Sequence, residues 1–290
     1  VLALGGNLAK AKVSGILCFL FKHLRQHSAA PAFTLLYAAM PELPEVETVC
    51  RGLRKKLIGR RIARVVQRRA DLRNPLPTHF CARLKGREVR RIDRRAKYIL
   101  LHLDDDLGLI LHLGMSGRLL IHDNPKQVLD AHDHVAFYTA ARQLIVFRDP
   151  RRFGLMDLAS AHDLRKHPLL RDIGPEPLDT AFTPNVLSAR LAGRKTLIKA
   201  ALLDQRVVAG LGNIYVCEVL YRARVSPRRQ AATVAGRRAE RLVPAIRRVL
   251  EDAIDAGGSS LKDYVQTDGN LGYFQHHFAV YNREGAKCPE

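Results

Sequence analysis

The 290-residue chain has no tryptophan, three methionines and only 6 % aromatic residues, so its cores must be built from aliphatic side chains. Its five cysteines stand at 18, 50, 81, 217 and 288. The odd count and the lack of paired spacing argue against a disulfide framework and for a reducing interior. No apolar run approaches the roughly 18–20 residues that span a bilayer. The apolar stretch Ile16–Phe21 is short, and Lys22, His23 and Arg25 follow it rather than precede it, the reverse of a secretory signal. Acidic residues are missing from the first 39 positions.

What the chain has in excess is positive charge: 48 Lys and Arg against 28 Asp and Glu. Four of the basic residues lie in the first 39, so the excess belongs to the body of the chain and not to a tail. A field of this size attracts polyanions and makes binding depend on salt. Nucleic acid is the leading partner; a basic surface that is merely solvated is the alternative. The length suits two domains and a small appendage, and a 47 % hydrophobic content supplies real cores.

From Met40 onward, Leu43, Val46, Val49, Cys50, Leu53 and Leu57 recur at helical spacing. Glu42, Glu45 and Glu47 lie at the amino end and Arg51, Arg54, Lys55 and Lys56 at the other, complementing the helix dipole. The pattern predicts a helix whose first turn begins at Pro41–Glu42 and which stops at Gly59. Residues 61–149 then change period. "RIARVV", "REVRRIDR", "YILLHLD", "LGLILHLGM", "HVAFYTA" and "QLIVFRD" are short β-rich runs between turn signals, suited to an antiparallel sandwich. The Pro-rich stretch 174–185 predicts a linker, and residues 186–256 read as four helices. The tail turns glycine-rich and aromatic. An α+β, multidomain chain is expected.

Several residues could carry chemistry. A proline exposed as an amino terminus has a secondary amine that can attack a sugar carbon and form an iminium, an electron sink for elimination. Read alone, Pro41 is better taken as a first-turn proline whose missing N–H costs nothing. Glu42 is a candidate acid and Glu45 a residue that positions it, and both serve otherwise as simple dipole partners. Lys97 heads an apolar strand, where a lysine is otherwise a solvated strand end. "HDH" (132–134) allows phosphate contact or metal ligation, although no further ligand has suitable spacing nearby. Gly210, Gly212 and Asn213 predict a tight turn before a helix whose outward amino end would offer free N–H groups to a phosphate.

The motifs "MPELPEVET", "RRAKYILL", "HLGMSGRL", "HDHV", "DPRRFG", "GLGNIY" and "LKDYVQTDGNLGYF" occur in one order. From Met40 to the last residue the chain resembles the formamidopyrimidine-DNA glycosylases. The resemblance implies a bifunctional DNA glycosylase and abasic-site lyase for oxidised purines, with β,δ-elimination. Its substrate would be double-stranded DNA carrying oxidised bases or abasic sites, acted on by a monomer in the bacterial cytoplasm at the nucleoid. It implies an N-terminal β-sandwich flanked by helices (40–173), the linker (174–185), a helix–two-turns–helix domain with a lesion-recognition loop (186–279) and the start of a zinc finger (280–290). Pro41 is then the nucleophile, Glu42 the proton donor to the sugar ring oxygen, and Lys97 a phosphate contact that assists proton transfer. His132, Arg151, Arg194, Lys199 and Asn213 match DNA-binding positions. Met115, Arg151 and Phe153 match the trio that fills the void left by a flipped base.

The sequence departs from the family pattern twice. Of four zinc-ligating cysteines only Cys288 is present, so one zinc ion per protein is implied but a closed tetrahedral site is not, and the finger's arginine is missing too. Residues 1–39 precede the nucleophile and are expected to be a non-native or removed extension. Two rival functions remain: an endonuclease VIII-like glycosylase for oxidised pyrimidines, whose opening reads "PEGPE", and a DNA-binding protein without catalysis.

Overall fold

A computed structural model describes residues 40–259, 267 and 272–289. The expectations for 1–39 and for most of the loop at 265–274 lie outside these residues. Helix α1 (Leu43–Leu57) starts one residue later than its periodicity suggests, because Glu42 is its extended N-cap residue. Pro44 occupies the first turn, where no N–H is needed. The helix stops before Gly59, whose φ of +75° suits a residue without Cβ.

Among the described residues eight strands follow, with helix α2 (Phe80–Leu84) after the first. They are β1 (Ile62–Gln67), β2 (Val89–Arg95), β3 (Tyr98–Leu103), β4 (Leu107–His112), β5 (Arg118–His122), β6 (Asp133–Thr139), β7 (Leu144–Arg148) and β8 (Leu155–Ser160). They form two antiparallel four-stranded sheets, ordered β1-β6-β7-β5 and β2-β3-β4-β8. The aliphatic faces of both sheets and one face of α1 share a core that includes Val46, Leu53, Ile92, Leu109 and Phe147. Strands β5 and β8 were not among the expected runs. Leucine, methionine and alanine carry little β signal, and pairing with β7 and β4 recruits them.

Helices α3 (Pro184–Leu191), α4 (Ile198–Leu203), α5 (Asn213–Arg222) and α6 (Arg237–Asp255) build a second core around Tyr215, Leu242, Ile246 and Leu250. Thr183 caps α3 through its side chain. Leu43 at the start of α1 belongs to this second core, whereas Val46 and the residues after it belong to the first. Helix α1 therefore ties the two together, and burying each such leucine stabilises by about 1.5–3 kcal/mol. The 174–185 stretch is pinned by Glu176. Its carboxylate accepts from Arg94 at 2.7 Å, from Arg95 at 2.8 Å and from the Ala96 N–H at 2.7 Å.

Lys97 does not begin a strand. Arg95 pairs with Tyr98, which leaves Ala96–Lys97 as the two-residue hairpin turn between β2 and β3. Ala96 takes φ +51° there, an unfavourable conformation for alanine. The Glu176 contact to its N–H and the Arg94 bond to its carbonyl hold it in place. Among the described residues, no helix is long and apolar enough to cross a membrane.

Candidate active site at the start of the first helix

Glu42 is 3 % exposed although it carries a carboxylate. Besides the Glu45 N–H in its own first turn, its partners lie about 170 residues further along the chain. Oε2 accepts the Gly212 N–H at 2.6 Å and the Tyr215 N–H at 3.4 Å, and Oε1 accepts the Ile214 N–H at 2.9 Å. The first turn of α5 is thus closed by a side chain. This corrects the expectation of an outward amino end with free N–H groups: the peptide donors of Gly212, Ile214 and Tyr215 are already used, and the dipole acts on a carboxylate. Asn213, between them, is exposed at the rim.

The close approach explains the glycines. Gly210 adopts φ +81° and accepts the Leu43 N–H at 3.0 Å, and a Cβ there would lie 2.6 Å from Leu43 Cδ1. A Cβ on Gly212 would lie 2.8 Å from Glu42 Cγ and nearer still to its carboxyl group. Gln205 fixes the turn from below, accepting the Gly210 N–H and donating to the Leu211 carbonyl, each at 2.8 Å.

Glu45 is a buried hub behind Glu42. It accepts the Glu42 N–H at 2.9 Å, the Tyr215 hydroxyl at 2.6 Å, and the Ser259 N–H and hydroxyl at 2.8 and 3.0 Å. It therefore positions the segment that contains Pro41, itself buried. Burial raises the Glu45 carboxyl and drives the Tyr215 hydroxyl well above its ordinary value. Burial also pushes Glu42 up to about 7; Lys97 opposes the shift and Glu45 adds to it. Lys97, 6 % exposed, is lowered by burial, and Glu42 and Glu45 pull it back. The three groups thus form one electrostatic unit in which burial disfavours every charge and the opposite charges oppose that shift.

His112, at the end of β4, faces the same lysine. Burial first, then Lys97 and Arg73, push it down to about 4. Its Nδ1 accepts the Gly114 N–H at 2.9 Å, which leads directly to Met115. The structure so connects Pro41, Glu42, Lys97 and Asn213 at one place, and runs from there through His112 to the loop carrying Met115. Met115 and Arg151 meet, Arg151 donating to the Met115 carbonyl at 3.0 Å. Phe153 projects with 45 % exposure. His132 lies behind them in the loop before β6, exposed, its carbonyl accepting the Asp149 N–H at 3.0 Å.

Lys199 sits half-buried on α4. Arg194, between α3 and α4, has its guanidinium 3.2 Å from Asp204, so it already serves the helical domain. The "HDH" segment is occupied by protein contacts: Asp133 receives Arg148 at 2.6 and 3.1 Å, and His134 Nε2 donates to the Asp149 carbonyl at 2.8 Å. Among the described residues no cluster of His, Cys, Asp and Glu could hold a metal. Cys288 is exposed, with Tyr221 Oη 3.9 Å from its sulfur. The described residues therefore do not fit a zinc site. Sequence reasoning missed Tyr215, His112, Gln205, Ser116 and Asp149. All but Gln205 lie inside the quoted motifs, yet nothing in their local pattern marks them.

Family models match two stretches: the formamidopyrimidine-DNA glycosylase N-terminal domain over residues 40–156 and the H2TH domain of the same enzymes over 173–265. The formamidopyrimidine-DNA glycosylase of Rhodospirillum centenum is 58 % identical over 260 residues, covering 86 % of this chain and 90 % of that protein. That of Rhodospirillum rubrum is 56 % identical over 255 residues, covering 86 % and 89 %. Among solved structures, the MutM (Fpg) protein of Thermus thermophilus is 42 % identical with a TM-score of 0.77, covering 86 % of this chain and 90 % of that one. A Lactococcus lactis Fpg mutant bound to Fapy-dG-containing DNA is 34 % identical with a TM-score of 0.78, covering 86 % and 91 %. Over the sandwich and the helical clamp alike, this chain belongs to the formamidopyrimidine-DNA glycosylase family.

Proposed function

We propose that the protein is a DNA glycosylase and abasic-site lyase that removes oxidised purines through the nitrogen of Pro41. One observation carries the reading: the acid next to Pro41 is buried, held near a pKa of 7 and set beside Lys97, by elements 170 residues apart. A helix cap on the surface would need none of this.

The amine of a terminal Pro41 attacks C1′ of the damaged nucleoside, and the base departs with the bonding electrons and takes up the proton that the nitrogen gives off. The freed nitrogen lone pair then expels the ring oxygen, which takes a proton from Glu42, and an iminium results. Loss of a C2′ proton releases the 3′ phosphate, and a second elimination releases the 5′ phosphate. Lys97, lowered by burial, helps to move protons and binds phosphate. His132, Arg151, Arg194, Lys199 and Asn213 contact the DNA backbone. Met115, Arg151 and Phe153 fill the void in the helix. The family's usual zinc is not assigned to the residues described, and no step depends on it. The substrate places the enzyme on DNA in the bacterial cytoplasm.

The chemistry requires a free amine, so activity belongs to a chain that begins at Pro41. A protein started at Met40, with the methionine removed, is incubated with an 8-oxoguanine duplex and borohydride. A covalent adduct that disappears in Pro41→Gly is expected. Trapping only on oxidised pyrimidines would move the assignment to the endonuclease VIII-like rival, and tight binding without any adduct would leave a DNA-binding protein. Equal trapping by a protein that retains Val1 would refute the role of Pro41.

A further inference from the structure

The two loops that carry the proposed void-filling residues are joined by a buried polar clip. Ser116 is 4 % exposed and Asp149 fully buried. The Ser116 hydroxyl donates to Asp149 Oδ1 at 2.5 Å and accepts the Arg151 N–H at 3.2 Å. Asp149 Oδ2 accepts the Gly154 N–H at 2.8 Å. One carboxylate therefore spans the loop from Asp149 to Gly154, with Arg151 and Phe153 between. The Arg151 guanidinium closes the ring on the Met115 carbonyl. His134 supports it from behind through the Asp149 carbonyl.

Backbone geometry agrees. Gly114, at φ +66°, brings the two loops into direct contact: a Cβ there would lie 2.5 Å from Gly154 N and closer to the Phe153 carbonyl group. Arg152 takes φ +57°, a conformation that persists for a non-glycine residue only when its surroundings over-determine it. A large apolar ring at Phe153 is thus held out into solvent by a rigid base.

We propose that Ser116 and Asp149 are positioning residues that hold Met115, Arg151 and Phe153 as one preassembled wedge. This inference rests on the glycosylase reading above. A wedge must enter the duplex while the target base is out of the stack. Ordering two free loops at that moment would cost backbone entropy. A clip formed beforehand removes that cost from the encounter with DNA. The clip touches no reacting atom, so its effect should follow the presence of a helix to hold open.

The test uses the chain begun at Pro41 and strand cleavage at an abasic site, placed either in a duplex or in a single-stranded oligonucleotide of the same sequence. Ser116→Ala should slow duplex cleavage about tenfold or more, in line with a wedge displaced by a fraction of an ångström, and leave the single-stranded rate within about twofold. Ser116→Thr, which keeps the hydroxyl, should recover most of the duplex rate. If Ser116→Ala melts early, Asp149→Asn keeps the volume of the carboxylate, and it should show the same split. Equal losses on both substrates, or Ser116→Thr no better than Ser116→Ala, would overturn the clip while leaving the glycosylase reading intact. A wild-type chain that cleaves neither substrate would overturn both.

Discussion

Gly212→Ala tests the site without replacing a catalytic group. Gly212 has φ −134° and ψ −162°, extended backbone that alanine adopts freely, so the added methyl acts only through what it meets. It meets Glu42: the new Cβ would lie 2.8 Å from Cγ and nearer to the carboxyl carbon. Ordinary carbon contacts are about 3.5–4.0 Å, so the carboxyl group must retreat by about 1 Å. Retreat breaks the bonds from Gly212 N at 2.6 Å and Ile214 N at 2.9 Å. Two buried N–H groups left without acceptors cost about 1–3 kcal/mol each, and melting should fall by about 2–4 °C per kcal/mol. A misplacement of about 1 Å costs on the order of 10²-fold in rate. Single-turnover borohydride trapping should therefore drop about a hundredfold in a protein that still melts cooperatively, with Glu42→Gln as the benchmark. Trapping within about threefold of wild type would show that the Glu42–α5 contact does not set the chemistry.

Four further outcomes follow from the structure. Proton donation by Glu42 is lost as pH rises through about 7, so base excision should fall above that pH and Glu42→Gln should lack the limb. The folded carboxyl holds its proton more tightly than the unfolded one, so Glu42 makes its full contribution to stability below about pH 4.5. That contribution declines by about 3 kcal/mol as pH rises to 7; melting of wild type relative to Glu42→Gln across pH 4.5–7.5 reads it. Glu176→Gln weakens the bonds to Arg94, Arg95 and Ala96, and should cost about 2 kcal/mol in denaturant unfolding while also slowing trapping, because the same turn carries Lys97. Burial, reinforced by Glu47, pushes the Cys50 thiol up to about 12. Thiol titration of the native protein at pH 8 should label exposed Cys288 and spare Cys50 until guanidinium is added.

Much of this protein is legible one segment at a time. The 3.6-residue recurrence from Leu43 to Leu57 specifies α1, and the shift to short β-rich runs specifies most of the sandwich. Gly59 ends the helix, and Pro-rich 174–185 separates two kinds of core. These are local signals, decided by what each stretch can bury within a few residues of itself. The motifs "PELPE" and "GLGN" also mark where the chemistry lies, since proline, acid and glycine are scarce choices at those spacings.

The relations among the motifs are not local, and only the tertiary structure decided them. Glu42 was legible as a helix-start acid, but not as the acceptor that closes α5. Lys97 was legible as a basic residue beside a strand, but its burial in a hairpin turn depends on Glu176 some 80 residues away. Ser116 and Asp149 sat unremarked beside Met115 and Arg151, because a hydroxyl and a carboxylate 33 positions apart carry no shared period. Residue type and spacing determine which elements form and which groups are available. Burial determines their pKa values and partners, because desolvation and hydrogen bonding act through space, across elements that meet only once the chain has folded.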